Sequence, residues 1–260
     1  MDLGIAGRSA IVCASSKGLG RGSAEALAEA GVNVTLNGRT AETLEATAEA
    51  IRARYDVRVK AVAADVTTEE GRAKLLDAEP APDILVNNAG GPPPGMWSDW
   101  GRAEWDAAVN GNMLTPILLT TAVLPGMIER GWGRVVCITS GSVKSPIPQL
   151  GLSNAARAGL TGFIAGTARQ VARNGVIMNN LLPGQHATDR IEGLMSAISK
   201  RENISIDEAK ERAQNNIPRG RFGTPEEFGK VCAFLCSEHV GFMVGQNVLL
   251  DGGNFNSTMG

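Results

Sequence analysis

A short loop of small residues, 15–20, has the composition of an anion-binding site. It reads Ser-Ser-Lys-Gly-Leu-Gly and joins an apolar run, residues 9–13, to an alanine-rich stretch, residues 20–30. A strand, a small-residue turn and a helix N-terminus bind phosphate together, because unpaired backbone N–H groups and the helix dipole point at the ligand. The order of these segments predicts a dinucleotide site. The expected contacts are Ser15, Ser16, Lys17, Gly18, Leu19 and Gly20.

The end of the second apolar run, residues 32–36, indicates which dinucleotide binds. A fold that selects NAD places an Asp or Glu there to hold the ribose hydroxyls, whereas this chain has Asn37 and Arg39. An acid would repel a 2′-phosphate, and the planar donor fork of Arg39 can hold one. Lys17 adds a second cation in the phosphate loop. The pattern favours NADP (NADPH) over NAD.

Short apolar segments that alternate with longer amphipathic ones must position these loops. The alternation is typical of repeated βαβ units and predicts an α/β fold: a Rossmann-type doubly wound parallel sheet in three α/β/α layers. Strands are expected at residues 9–13, 32–36, 58–63, 83–86, 134–139, 176–181 and 247–250, and helices at 20–30, 41–54, 69–78, 102–130, 152–174 and 224–236. No linker or repeat divides the chain, so residues 1–260 are expected to form one dinucleotide-binding domain.

The composition disfavours several classes of function. The chain has 25 Lys and Arg against 27 Asp and Glu, so its net charge of −2 offers no basic surplus to nucleic acid or to an anionic membrane. Residues 107–128 carry no charge, but Asn, Gly and Pro interrupt them, which predicts a buried helix rather than a membrane span. Four cysteines in apolar runs and an N-terminus without signal features predict a cytoplasmic protein. Two isolated histidines predict no metal site.

Several further segments resemble the short-chain dehydrogenase/reductase family, and within it the 3-oxoacyl-[acyl-carrier-protein] reductase-like members. They are the loop at residues 14–20, Asp65-Val66, the Asn-Asn-Ala-Gly run at 87–90, Asn112, Ser140, Pro183-Gly184 with Thr188, and Asp-Gly-Gly at 251–253. The resemblance covers essentially the whole chain, although Cys13 and Ala14 stand where the family usually has Thr and Gly. It implies cofactor contacts at the adenine (Asp65, Val66), along the sheet edge (Asn88, Ala89, Gly90) and at the nicotinamide (Pro183, Gly184, Thr188).

The catalytic segment departs from the family pattern. The family uses Ser, then Tyr thirteen residues on and Lys four further, with an Asn on the preceding long helix. Counted from Ser140, the Tyr and Lys positions hold Ser153 and Arg157, while Asn112 supplies the Asn. Ser153 and Arg157 still share one helix face, but an aliphatic hydroxyl is far too weak an acid to replace a phenol, and Arg157 stays protonated. The only tyrosine, Tyr55, follows an early helix away from every catalytic motif.

Two side chains could supply the proton instead, and water is a third source. Lys144 lies four residues past Ser140, in the loop expected to border the substrate. His186 stands in the loop that the resemblance places beside the nicotinamide, and histidine titrates near neutral pH. The predicted catalytic set is Ser140, Asn112, Ser153, Arg157, Lys144 and His186, with Arg157 also at the cofactor ribose.

Three functions fit these residues. The first is an NADP(H)-dependent oxidoreductase that transfers hydride between nicotinamide and a carbonyl or alcohol, with an atypical proton donor. The second reduces an activated C=C bond, and the third is a catalytically silent NADP-binding partner or regulatory subunit. Residues 188–216 are expected to form a lid, whose Ile191, Leu194 and Met195 indicate a partly apolar carbonyl or enone substrate. The resemblance implies a homo-oligomer, a tetramer or a dimer.

Overall fold

A parallel sheet of seven strands forms the centre of the computed structural model, which describes residues 1–258. The strands are β1 (Ser9–Val12), β2 (Asn33–Gly38), β3 (Val59–Ala63), β4 (Ile84–Asn87), β5 (Gly133–Ile138), β6 (Val176–Pro183) and β7 (Asn247–Leu250). Their spatial order is β3-β2-β1-β4-β5-β6-β7, and every neighbouring pair is parallel. The strand order reverses between β1 and β4, which places a ligand crevice at the carboxyl ends of these two strands. The predicted doubly wound α/β fold is confirmed.

Helices cover both faces of the sheet. They are α1 (Gly18–Glu29), α2 (Ala41–Arg52), α3 (Glu69–Ala78), α4 (Arg102–Val109), α5 (Thr115–Glu129), α6 (Gly151–Val171), α7 (Asp189–Glu202), α8 (Ile206–Asn215) and α9 (Pro225–Leu235). One core joins α1, α2 and α9 to the sheet, and a second joins α3, α5 and α6 to the opposite face. Ala10 and Val12 of β1 point into the first core while Ile11 points into the second. Because both faces are covered, the strands are nearly continuous apolar runs.

The long uncharged segment is a core helix of this domain. Within residues 1–258, the run Arg102–Glu129 is the one helix long and apolar enough to cross a membrane. It contacts β4, β5 and α6. The run consists of α4, a π-helical turn at Asn110–Leu114, and α5. The sequence predicted one regular helix here, and the π turn is the feature that differs.

Helices α1 and α9 approach each other at two glycines. A Cβ on Gly229 would collide with the carbonyl oxygen of Gly22 and would lie 3.1 Å from the backbone nitrogen of Ser23. Thr224 is the N-cap of α9 and forms a capping box with Glu227. The Thr224 hydroxyl accepts from the Glu227 N–H, and the Glu227 carboxylate accepts from the Thr224 N–H. The cap and the close glycine contact fix α9 against α1.

Helices α7 and α8 form the predicted lid segment and have a core of their own. The lid core consists of Ile191, Met195, Ala209, Ile217 and Phe222. It is separate from the two cores that flank the sheet. The segment that is expected to form the lid is therefore a small folded unit with its own core; its role as a lid stays a prediction.

Candidate active site

The phosphate loop connects β1 to α1 at the reversal of the strand order. Ala14 has a φ of 45° and Gly18 a φ of 59°, both in the left-handed region. Gly18 adopts this conformation freely, whereas for Ala14 it costs about 1–2 kcal/mol. The Lys17 side chain does not cap α1, so the first N–H groups of the helix remain available to an anion.

Buried polar side chains fix the loop from below. The Ser15 hydroxyl donates to the Val12 carbonyl (2.8 Å) and accepts from the Asn37 N–H (3.1 Å). The Asn88 amide donates to the Ala14 carbonyl at 3.2 Å. A Cβ on Gly20 would collide with that same carbonyl, so only glycine permits this approach. Within the rest of the loop, the Ser16 carbonyl accepts from the Thr47 hydroxyl at 2.8 Å. Leu19 packs against the core that joins α1, α2 and α9 to the sheet.

The end of β2 carries an exposed arginine and an inward-facing asparagine. Arg39 is exposed, and no carboxylate among residues 1–258 forms an ion pair with it. Asn37 is buried, and its amide donates to the carbonyls of Val62 and Ala64, both at 3.1 Å. The structure therefore places Arg39 at the surface of the crevice and Asn37 between β2 and β3.

The predicted adenine contacts follow β3. Asp65 is exposed, and its carboxylate accepts from the N–H and the hydroxyl of Thr67 at 3.0 and 2.8 Å. These bonds lower the pKa of Asp65, and the positive charge of Arg39 lowers it further. Val66 is half-buried beside it. This brings Arg39 and Asp65 together at one end of the crevice.

The lid rests on the phosphate loop. Lys17 Nζ lies 2.6 Å from the Asp189 carboxylate, in the first turn of α7, and both side chains are largely exposed (72% and 74%). The ion pair lowers the pKa of Asp189. A Cβ on Gly18 would lie 3.5 Å from the methyl group of Thr188, the N-cap of α7. The cofactor crevice is thus bridged by a solvent-exposed ion pair.

The π turn presents Asn112 to a small cavity. Asn112 is 5% exposed, and its Oδ1 has no hydrogen-bond partner within residues 1–258. A cavity of about 10 Å³ lies between the turn, the end of β4 and α6, with room for about one water molecule. Its lining includes Asn88, Ala89, Asn112 and Arg157. An unpaired buried amide oxygen beside such a space is suited to hold a water or a ligand hydroxyl.

Arg157 places a buried cation beside this cavity. Its Nη1 donates to the Ile138 carbonyl at the end of β5 (2.8 Å), and its Nη2 donates to the Ala89 carbonyl after β4 (3.1 Å). Burial lowers its pKa to about 10, and the nearby charge of Arg190 adds to that effect. No carboxylate within residues 1–258 pairs with it. Ser153, one turn earlier on α6, is 4% exposed.

Ser140 follows β5 on the same edge of the sheet. Its hydroxyl accepts from the Ser142 N–H at 3.1 Å and so caps the short 3₁₀ turn Gly141–Val143. The cavity between the end of β4, the π turn and α6 has Asn112 and Arg157 among its lining residues, along with the apolar Pro116, Ile138 and Leu160, and neither Ser140 nor Ser153 is one of them. A guanidinium at such a cavity can stabilise an oxygen that gains negative charge.

Comparison with known proteins now decides the family. A model described as enoyl-(acyl carrier protein) reductase matches residues 13–254. The chain is 33% identical over 260 residues to a 3-oxoacyl-[acyl-carrier-protein] reductase of Aquifex aeolicus, covering 98% of this chain and 100% of the relative. This chain belongs to the short-chain dehydrogenase/reductase family.

Solved structures of the same fold agree with this assignment. The L-sorbose reductase of Gluconobacter frateurii, in complex with NADPH and L-sorbose, superposes with a TM-score of 0.94 at 28% identity, covering 99% of this chain and 100% of that chain. A 3-oxoacyl (acyl-carrier-protein) reductase of Agrobacterium tumefaciens with NADP bound has a TM-score of 0.87 at 30% identity, covering 96% and 95%. Both similarities extend over nearly the full chain.

In this dehydrogenase/reductase the two predicted alternative proton donors lie in different surroundings. Lys144 is half-buried, with Nζ 5.9 Å from the centroid of the Phe255 ring. His186 is buried, its ring packs edge-on against Phe228, and its Nδ1 faces the Gly184 carbonyl at 3.2 Å. Burial lowers the pKa of His186, so its ring is neutral at neutral pH.

The predicted nicotinamide contacts form the hinge between β6 and the lid. Pro183 ends β6, and a Cβ on Gly184 would lie 2.6 Å from the Cβ of Asp251, so the chain passes closely over the end of β7. Thr188 begins α7, and its hydroxyl donates to the His186 carbonyl at 3.3 Å. These residues bring the lid to the edge of the crevice. Gly90 is exposed at the turn after β4, and a Cβ there would meet nothing within 4 Å.

The sequence motifs did not indicate one further residue beside this site, Arg190. A Cβ on Gly91 would collide with Nη1 of Arg190 and would lie 2.9 Å from its Cζ. The Arg190 guanidinium therefore lies against the turn that follows β4, on which Arg157 also donates a hydrogen bond. The available signal was the position of Arg190, two residues after Thr188. Its partner is 99 residues away in sequence, which no local pattern reveals.

Proposed function

We propose that this chain is an NADP(H)-dependent oxidoreductase that transfers hydride between the nicotinamide and a carbonyl or alcohol. The observation that supports it most is the guanidinium of Arg157, buried at the carboxyl ends of β4 and β5 beside the cavity that Asn112 lines. When hydride reaches a carbonyl carbon, negative charge develops on the oxygen. A fixed, desolvated cation stabilises that charge more than water would.

The residues of the crevice fit NADP(H). The phosphate loop has N–H groups at the start of α1 that no side chain caps, and they are suited to bind the cofactor phosphates. Arg39 forms no ion pair within residues 1–258 and is suited to hold a 2′-phosphate. The relatives from G. frateurii and A. tumefaciens bind NADPH and NADP. When bound, the nicotinamide supplies or receives the hydride.

The proton comes from water in this proposal. Ser153 is too weak an acid to donate it, since an aliphatic hydroxyl lacks the acidity of a phenol. The neutral ring of His186 packs against Phe228 at the lid hinge, and Lys144 lies beside Phe255. By contrast, Asn112 Oδ1 has no partner within residues 1–258, and Asn112 lines a cavity with room for about one water molecule. Asn112 and Arg157 would orient that water toward the developing oxyanion.

Reduction of an activated C=C bond is the second candidate. The family model that matches residues 13–254 is described as an enoyl-(acyl carrier protein) reductase. In conjugate reduction the negative charge spreads over an enolate, and the proton arrives in a separate step. The loss of a tyrosine costs less there, and Arg157 would stabilise the enolate oxygen in the same way.

A substrate panel with two matched variants tests these proposals. NADPH oxidation is followed with ketones, 3-oxoacyl thioesters and enones for the wild type, Arg157→Met and Arg169→Met. Arg169 lies on the same helix, but at its exposed end. Arg157→Met should lower kcat about 100- to 1,000-fold, and Arg169→Met should not. NADPH binding without turnover on every compound would instead support the silent cofactor-binding protein, and tighter binding of NADH would contradict the cofactor assignment.

The pH profile separates the proton donors. If water supplies the proton, His186→Gln and Lys144→Met should keep the pH profile of kcat of the wild type. A shifted pH profile of kcat in either variant would identify the replaced side chain as the proton donor.

We also propose that the chain forms a homo-oligomer, a dimer or a tetramer, through α5 and α6. Leu118 of α5 is 44% exposed, and Leu114, just before α5, is 42% exposed. On α6, a Cβ at Gly162 or Gly166 would meet nothing within 4 Å. An apolar helix beside small residues is suited to isologous pairing. Light scattering should show a dimer or tetramer for the wild type and a smaller species for Gly162→Arg.

A further inference from the structure

We infer that the substrate of this site is an oxo acid, whose carboxylate is held by Arg190 while its reacting carbonyl faces Arg157. The inference rests on the proposed hydride transfer and names the substrate class for it. It starts from the turn after β4, because both guanidiniums contact that turn: Arg157 through the Ala89 carbonyl and Arg190 against Gly91.

Neither Arg157 nor Arg190 has a carboxylate partner among the residues that the structure describes. No carboxylate within residues 1–258 forms an ion pair with either arginine. The acids nearest along α7 are already engaged, since Asp189 pairs with Lys17 and Glu192 with Lys210. The Arg157 charge is buried, which is costly without a counter-charge, and Arg190 adds a second positive charge at the same turn. This turn is therefore suited to an anionic ligand. The oxidised nicotinamide is itself positive, so it cannot supply that anion.

The two guanidiniums differ in how many of their N–H donors are already engaged within the protein. Arg157 is buried and already gives one N–H each to two carbonyls at the sheet edge, so it is fixed in place. Arg190 is exposed, and neither a hydrogen bond nor an ion pair within residues 1–258 holds its guanidinium. Its planar donor fork therefore remains free for a bidentate carboxylate. Arg157 remains for the oxygen that gains charge as hydride arrives.

The position of Arg190 also favours an anion there. It lies in the first turn of α7, where the helix dipole attracts negative charge. The positive charge of Arg190 contributes to the lowered pKa of Arg157, which is consistent with the two cations acting on one space.

The test compares each acid with its uncharged ester. The NADPH complex is titrated with acetoacetate, pyruvate and levulinate and with their methyl esters, and ligand affinity is measured by calorimetry and thermal shift. We expect at least one acid to bind about 10- to 100-fold more tightly than its ester, as for a charge-assisted bidentate contact. Arg190→Gln should abolish that preference. Arg201→Gln, which removes the same charge from the far end of α7, should retain it.

The outcomes distinguish this inference from the proposed function. If the acid preference depends on Arg190 but no compound is reduced, the carboxylate site stands and the hydride transfer fails. If an ester and its acid bind equally in all three pairs, the carboxylate site is wrong. If Arg190→Gln weakens NADPH binding tenfold and leaves the acid preference intact, Arg190 belongs to the cofactor phosphates and the inference is overturned.

Discussion

Replacing Asp189 with asparagine is expected to tighten NADPH binding without changing NADH binding. In the structure Lys17 Nζ is held by Asp189 at 2.6 Å, so a 2′-phosphate must compete with this carboxylate for the ammonium group. Both side chains are largely exposed (72% and 74%), and pairs of this kind contribute about 0.2–1 kcal/mol. Freeing Lys17 should therefore lower the dissociation constant of NADPH about 1.5- to 5-fold. NADH has no 2′-phosphate to gain from the change.

Calorimetric titration of both cofactors measures the effect. Asp207→Asn is the control, because Asp207 lies in the first turn of α8 as Asp189 lies in the first turn of α7. The NADPH gain should shrink as salt is raised toward 1 M, where exposed charges are screened. An equal gain for NADPH and NADH would refute the reasoning, since it would show general repulsion of phosphate by Asp189 rather than competition for Lys17. Weaker NADPH binding would refute it as well.

Three further predictions concern stability. Gly229→Ala should force α1 and α9 apart and cost about 1–3 kcal/mol, lowering Tm by several degrees in calorimetry, whereas Gly193→Ala, with open space around it, should raise Tm slightly. Ala14→Gly should relieve the left-handed backbone and raise the free energy of unfolding in urea by about 1 kcal/mol; a loss would contradict the strain. Burial lowers the pKa of Arg157 in the folded protein to about 10, from its ordinary value of 12.5. The buried charge therefore destabilises the folded state below pH 10, and this cost falls as the pH rises from 10 to 12.5. The stability of the wild type relative to Arg157→Met should therefore grow by about 1 kcal/mol between pH 9 and 11, and a constant difference in urea unfolding would contradict it.

The fold could be predicted because alternating apolar and amphipathic segments encode a covered parallel sheet directly. The predicted last strand coincides with β7, and the predicted helix near residues 69–78 coincides with α3. The start of α1 was missed by two residues, since its N-cap is a lysine without a capping hydroxyl or carboxylate. The π turn at Asn110–Leu114 has no sequence signature that separates it from regular helix.

The site was less accessible to sequence reasoning than the fold. The sequence does not show whether a polar residue at a strand end faces the ligand or a neighbouring strand. The Asn37 amide donates to the carbonyl of Val62 in β3 and to that of Ala64, just after β3. The resemblance to the family, counted from Ser140, identified Ser153 and Arg157, but the carbonyls that accept hydrogen bonds from Arg157 belong to two other segments of the chain. The roles predicted for Lys144 and His186 stay predictions.

The separate core of the lid has a consequence for how this chain can change over evolutionary time. Because Ile191, Met195, Ala209, Ile217 and Phe222 stabilise one another, substitutions elsewhere on α7 and α8 need not disturb the two cores of the sheet. Arg190 lies on α7, while Arg157 lies on α6 and Asn112 lies in the π turn before α5. With the roles proposed above for these residues, substitutions on α7 could change the substrate without changing Arg157 or Asn112.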